Sequence, residues 1–271
     1  MFLLKKLFKM RDSSHGDAVK PFLDHLEDLR WTLLKMIVTL VSTMLGAFFF
    51  RKDIAALLSK PLVSVVGDIQ NALITTSPVE SVTMSFTLSF YTGIVVAFPI
   101  LFYFLAEFIL PALTLKEKRY VMPAVGVGFG LFLSGVVLCF LYVLPATLRW
   151  LHEDASAFAR PSWTIREYYG FVTHLMIAVG LLCELPVVML TLAAVGVISY
   201  AWMKGTRMYG YAGALVLAGI ISPTPDIFML VVFALPIAGL YEMSIWLVWL
   251  LERRAARREA KADQNPHEPI D

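Results

Sequence analysis

Three carboxylates crowd the stretch PFLDHLEDLR at residues 21–30, immediately ahead of the first long apolar run. Laid on a helix, Asp24, Glu27 and Asp28 share one side with Trp31. Phe22, Leu26, Leu29 and Leu33 form an apolar stripe on the other. Pro21 suits a first helical position, and Asp24 in the first turn suits the helix dipole. Such a row can receive cations through charge-assisted hydrogen bonds. It is also what an ordinary solvated helix face looks like. The setting favours the binding role, because the cytoplasmic flank of a span usually carries Lys and Arg.

A second carboxylate stands where charge is expensive. Glu184 lies in LLCELPVV, within the fourth apolar run, where an ionised carboxylate costs about 2.5–3.5 kcal/mol on insertion scales. It needs a cavity, a partner or a proton. Pro186, two residues on, cannot donate a backbone N–H and frees a carbonyl nearby. Glu242 in the sixth run and Glu107 near the end of the second are further candidates, each also readable as an interfacial or paired group. The five histidines are scattered, and HExxH, GxSxG and phosphate-binding glycine loops are absent from the sequence, so no enzyme is expected. Gly126, Gly128 and Gly130 fall inside an apolar run and suit helix packing, not a dinucleotide. Cys139 and Cys183, also in apolar runs, have no metal-site spacing, so neither a metal nor a cofactor is expected. No basic patch interleaved with aromatics suggests nucleic acid.

The elements that position these groups follow from composition. The chain has 271 residues, 58% hydrophobic and 16% charged, with mean hydropathy +0.72. That describes an all-α polytopic membrane protein with one integrated unit. Six apolar segments run over residues 31–50, 83–109, 121–144, 171–197, 211–222 and 227–251. Mixed stretches at 51–82 and 145–169 read as loops, the first long enough to carry a short helix near 54–59. The fifth segment has about twelve residues, roughly 18 Å of helix against a hydrocarbon core of about 30 Å. It is either a short span or half of a re-entrant hairpin, and the charge pattern favours the short span. Residues 1–20 read as a basic amphipathic lead that touches the lipid bilayer, 21–251 as the transmembrane unit, and 252–271 as a disordered charged tail. With six spans, sixteen Lys and Arg share the side of both termini and six lie opposite, which places both termini in the cytoplasm.

Several stretches, in this order, resemble the TatC family, the core of the twin-arginine protein translocase. They are HLEDLR before the first span, KPL after it, AFPILFY and FILPALTLKEKR across the second, CELPV in the fourth, SPTPD at the hairpin and LPIAGLYE in the sixth. The resemblance covers about residues 22–249. It implies six helices in a cupped arrangement with a short fifth, although the sixth run here is long enough to span and continue. It implies a receptor for twin-arginine signal peptides of folded cargo in the bacterial cytoplasmic (inner) membrane, driven by the proton motive force. Its implied partners are single-span proteins of the TatA and TatB type, with further copies of the chain in a larger complex. Position by position, the signal-peptide site falls on Asp28 and Glu117, flanked by Leu29 and Arg30, with Glu27 able to share the role and Phe108 just before the link. Arginine's planar fork pairs bidentately with carboxylates, so two spaced carboxylates select two arginines. Glu184, Asp226 and Glu242 match the family's carboxylates in the fourth helix, the hairpin and the sixth helix. Pro61 and Pro99 match structural prolines. The chain departs from the family at Asp28, where Glu is common, at Phe104, where Gln is usual, at Met84, where Lys is often found, and at Glu107, which adds a carboxylate. The rival class is a proton- or cation-coupled secondary transporter working through Glu184 and Glu242. The two halves of the sequence show no inverted repeat that would support it.

Overall fold

The computed structural model describes residues 22–67, 72–109, 115–159, 161–224 and 226–264. The basic lead at 1–20 lies outside them. The first helix, α1, spans Phe22–Phe49, so the acidic stretch and the first apolar run form one rod about 42 Å long. Its packed side differs from the sequence expectation. Asp28, Thr32, Met36, Thr39, Thr43 and Ala47 are buried or half-buried, whereas Leu26, Leu29 and Leu33 are exposed. In lipid the large apolar face has no reason to turn inward, and helices meet through small and hydroxyl residues.

The partner of α1 is α3, Glu80–Ile109, running antiparallel to it. The two backbones come so close that a Cβ on Gly93 would lie 2.9 Å from the amide nitrogen of Met44. The Thr43 hydroxyl lies 3.0 Å from the Gly93 carbonyl, within hydrogen-bonding reach across the interface. Phe48 against Phe86 continues this register toward one end, and Lys35 against Glu107 continues it toward the other.

Between α1 and α3, α2 (Arg51–Val66) replaces the first half of the expected loop. Pro61 lies inside α2 and is buried with Leu58 and Leu62. After it, β1 (Leu73–Ile74) pairs in parallel with β2 (Trp163–Thr164), a two-residue ladder set among the helices. Pro99 sits within α3.

The third span corrects the sequence reading. Helix α4, Leu115–Leu138, passes through a π turn at Cys139–Val143 into α5, Leu144–Ser156. The first half of the expected loop at 145–169 is therefore helical. Pro145 falls in the first turn of α5, and the wider π turn before it accommodates the missing N–H, so the rod continues. The fourth span is instead broken. Helix α6, Ile165–Leu182, and α7, Leu185–Ala194, meet at Cys183–Glu184, with Pro186 buried in the first turn of α7.

A six-residue helix, α8 (Tyr200–Gly205), leads to α9, Arg207–Ile221, about 22 Å long and still shorter than the hydrocarbon core. The last helix, α10, runs Ile227–Gln264, and this overturns the disordered tail from residue 252. The stretch ERRAARREAKADQ consists mostly of strong helix formers, and its net charge does not override them. Residues 265–271 lie outside the described residues. Among the described residues, five helical spans are long and apolar enough to cross a membrane, and α9 is a shorter apolar helix beside them. The fold is that of an all-α polytopic membrane protein. Its main core, around Leu62, Leu88, Leu144, Leu148, Val172 and Leu175, lies where α2, α3, α5 and α6 meet.

Candidate functional site

The antiparallel register of α1 and α3, with Met44 against Gly93 and Lys35 against Glu107, carries Asp28 toward the end of α3 at Phe108. Asp28 is half-buried on the packed side of α1, while Glu27 and Arg30 are exposed. The exposure of Glu27 fits a helix rim, since it lies about 100° around from Asp28. Phe108 is half-buried near the end of α3. The backbone of Glu117 falls in the first turn of α4, and its side chain lies outside the described residues. About two turns below Asp28, Lys35 Nζ stands 3.8 Å from Glu107 Oε2 and 5.6 Å from the Phe104 ring centroid. Phe104 and Glu107 are thus joined through one lysine. Lys35 and Glu107 are each about half exposed, so the pair contributes at most about 1 kcal/mol to stability.

Glu184 occupies the break between α6 and α7. It is 5% exposed, and neither carboxylate oxygen has a hydrogen-bond partner among the described residues. It packs against α4, where a Cβ on Gly128 would lie 2.7 Å from Glu184 Oε2 and 2.6 Å from Phe102 Cε1. Gly128 is therefore the space that admits the carboxylate. The break arises because Pro186 cannot extend the ladder and the Glu184 N–H turns to the Leu181 carbonyl at 3.1 Å. Counting from Ala194, Glu184 lies about 15 Å inside the span, deeper than the Asp28 rim.

The remaining expected groups are separate and partnered. Arg207 at the start of α9 donates to Glu242 Oε2 at 3.0 Å, and the Tyr211 hydroxyl donates to Glu242 Oε1. Glu242 is thus a paired group between α9 and α10. Asp226 is a helix cap: its Oδ1 accepts the Met229 N–H at 2.8 Å, and its Oδ2 accepts the Thr224 hydroxyl. These two donors, the Thr224 hydroxyl first, hold its carboxyl below the usual carboxylate range.

One group escapes sequence reasoning. Glu80 is buried at the opposite end of the molecule, where it accepts the Thr76 N–H at 2.8 Å, the Thr76 hydroxyl at 3.1 Å and the Arg166 N–H at 3.2 Å. It ties the segment before α3 to the segment before α6. The signal is present: Ser77-Pro-Val-Glu80 spells a capping box ahead of an apolar run. No cluster of three or more potential metal ligands occurs among the described residues.

Comparison with known proteins bears on these residues together. The family model for the Sec-independent protein translocase protein TatC matches residues 24–236. The Akkermansia muciniphila Sec-independent protein translocase protein TatC is 39% identical over 76% of this chain, and the match spans 61% of that relative's length. The Deinococcus radiodurans protein of the same description is 32% identical over 85% of this chain and 86% of its own. The crystal structure of the twin arginine translocase receptor TatC superposes with a TM-score of 0.74 at 32% identity, covering 83% of this chain and 98% of that one. The matched span contains Asp28, Glu107, Glu117, Glu184 and Asp226 in one collinear stretch, and the chain belongs to the TatC family.

Proposed function

We propose that this protein is the receptor and core subunit of a twin-arginine translocase in a bacterial cytoplasmic membrane. Both termini face the cytoplasm, in keeping with the sixteen-to-six division of Lys and Arg. The rim carrying Asp28 and Glu117, with Glu27, Arg30 and Phe108 beside them, receives the paired arginines of a signal peptide. Glu184 serves a later step, offering its unpartnered oxygens to a polar group on a single-span partner of the TatA or TatB type. Folded cargo then crosses at the expense of the proton motive force, in a complex that contains further copies of the chain.

The observation that carries this reading is the placement of Asp28. In a chain of this family, it is the acidic-stretch carboxylate on the packed side of α1, carried by the α1–α3 register toward Phe108. A charge-assisted hydrogen bond contributes roughly 1.5–3 kcal/mol net, so losing one carboxylate lowers peptide affinity by about one to two orders of magnitude. The test is signal-peptide affinity for the solubilised protein. Asp28→Ala and Glu117→Ala each weaken binding, and Asp28→Glu is tolerated. Changing the peptide's arginines to lysines weakens binding to the unmutated protein more than to Glu117→Ala. Equal losses in those two proteins would remove Glu117 from the site. The transporter reading gains nothing from the geometry, because Glu184 packs on α4 whereas Glu242 is engaged by Arg207.

A further inference from the structure

A long apolar groove of about 820 Å³ runs between α5, the end of α6 and α10. None of the carboxylates considered above lies in it. Val179 and Leu182 form one wall, and Val232, Phe233 and Met243 form the other. Along α10 it extends from Phe228 to Met243, about 22 Å. Its mouth holds the charged part of its lining: Arg149 and Glu153, one turn apart on α5, with Trp150 between them stacked on Phe228 at 5.8 Å.

The lining and the mouth decide what fits. An extended hydrocarbon chain suits a groove about 22 Å long whose lining is apolar apart from its mouth. The mouth then specifies the head. Side chains at i and i+4 sit about 5–6 Å apart at their Cβ atoms, here one cation and one anion. Both are exposed, and neither forms an ion pair among the described residues. Tryptophan beside them is the residue that settles at a membrane–water boundary. One positive and one negative group side by side complement a headgroup that carries a phosphate next to an ammonium.

We infer that this groove is a binding site for a single zwitterionic phospholipid. Its acyl chains lie between α6 and α10, its phosphate meets Arg149 and its ammonium meets Glu153. The lipid fills the space between α5 and α10 as a structural component of the membrane-embedded fold.

The test uses the full-length protein in nanodiscs of equal phosphatidylethanolamine and phosphatidylglycerol, stripped stepwise with detergent. Retained lipid is counted by native mass spectrometry. The unmutated protein retains one phosphatidylethanolamine, with about a two- to five-fold preference over phosphatidylglycerol, as exposed ion pairs allow. Glu153→Lys makes the mouth doubly positive and inverts that preference. Arg149→Gln lowers retention of both lipids. Gly239 faces the groove, and a Cβ there meets nothing within 4 Å, so Gly239→Phe fills the groove and abolishes retention of either lipid. A phosphatidylethanolamine with a photoreactive acyl terminus labels peptides near Met243, and Gly239→Phe removes the labelling. A ratio unmoved by Glu153→Lys overturns the assignment even if Gly239→Phe proves unstable. Labelling that survives a folded Gly239→Phe, or cross-linking of the groove to a co-purified polypeptide in place of lipid, also overturns it.

Discussion

The two ends of the molecule are built on opposite terms. At the end carrying α2, β1 and β2, two tyrosines and a glutamate meet partners inside the fold. The Tyr168 and Tyr169 hydroxyls donate to the Leu58 and Ala55 carbonyls at 2.8 and 3.1 Å, and Glu80 receives three donors. At the other end, Glu27 and Arg30 are exposed, Lys35 and Glu107 make only a loose pair, and deeper in, Glu184 has no partner among the described residues. Buried polar groups that are satisfied fix one arrangement, and those left open hold binding capacity in reserve. The first end reads as scaffold and the second as working surface.

The largest expected effect tests the scaffold half of that contrast. Leu62 is fully buried in α2 between α5 and α6. Leu62→Ala empties part of a packed core and costs about 2–5 kcal/mol. Unfolding in mixed micelles would measure it. Signal-peptide affinity of the fraction still folded should stay within about twofold of the unmutated protein, since distant sites act independently. A parallel loss of affinity would show that the two ends are not separate.

Next comes Glu184, where the contrast predicts opposite signs for stability and function. A buried carboxyl without partners destabilises the fold, so Glu184→Leu should leave stability unchanged or raise it by about 1–3 kcal/mol. Export of a twin-arginine reporter should fall sharply, while initial peptide binding at the Asp28 rim persists. Glu184→Gln should be milder, since the amide still donates and accepts. The same unfolding curves and an export assay decide it. If Glu184→Leu unfolds the protein, the carboxylate is a structural staple and the contrast fails at its centre.

The same division explains what can be read from the sequence. Long apolar runs and the helical acidic stretch are local signals, so α1, the short α9 and the proline beside Glu184 are legible in the amino-acid order alone. Where local signals compete, they mislead. Pro145 resembles a loop start, but a π turn absorbs it, and the charged stretch after Leu251 resembles a disordered tail although its residues are helix formers. The packed side of α1 defies the amphipathic rule for water because that rule inverts in lipid, where Thr32, Thr39 and Thr43 face protein and leucines face outward. Asp28 owes its half-buried place to that inversion. Pairings between distant residues, Glu80 with Arg166 and Lys35 with Glu107, leave no trace in spacing. They depend on which helices touch.

The smallest effect concerns Lys35, and it sharpens the account of the working surface. Lys35 lies seven residues after Asp28 on α1, about 10 Å deeper along the helix. Its ammonium stands between Glu107 and the Phe104 ring. With Lys35 in place, Glu107 is partly neutralised, and any incoming arginine meets a like charge within about a Debye length of Asp28. Lys35→Gln should therefore raise signal-peptide affinity about two- to five-fold, the scale of one exposed ion pair, with stability changed by less than about 1 kcal/mol. Two causes would give that gain, relief of repulsion or recruitment of Glu107 as an extra acceptor. The double variant Lys35→Gln/Glu107→Gln separates them. If repulsion alone is relieved, the gain persists in the double variant and fades with added salt. If Glu107 is recruited, the double variant falls back to the affinity of the unmutated protein, and the gain in Lys35→Gln is greater for arginine peptides than for lysine peptides, because only the guanidinium fork pairs bidentately with the freed carboxylate. A Lys35→Gln protein with unchanged affinity would place this pair outside the working surface and confine the site to the Asp28 rim.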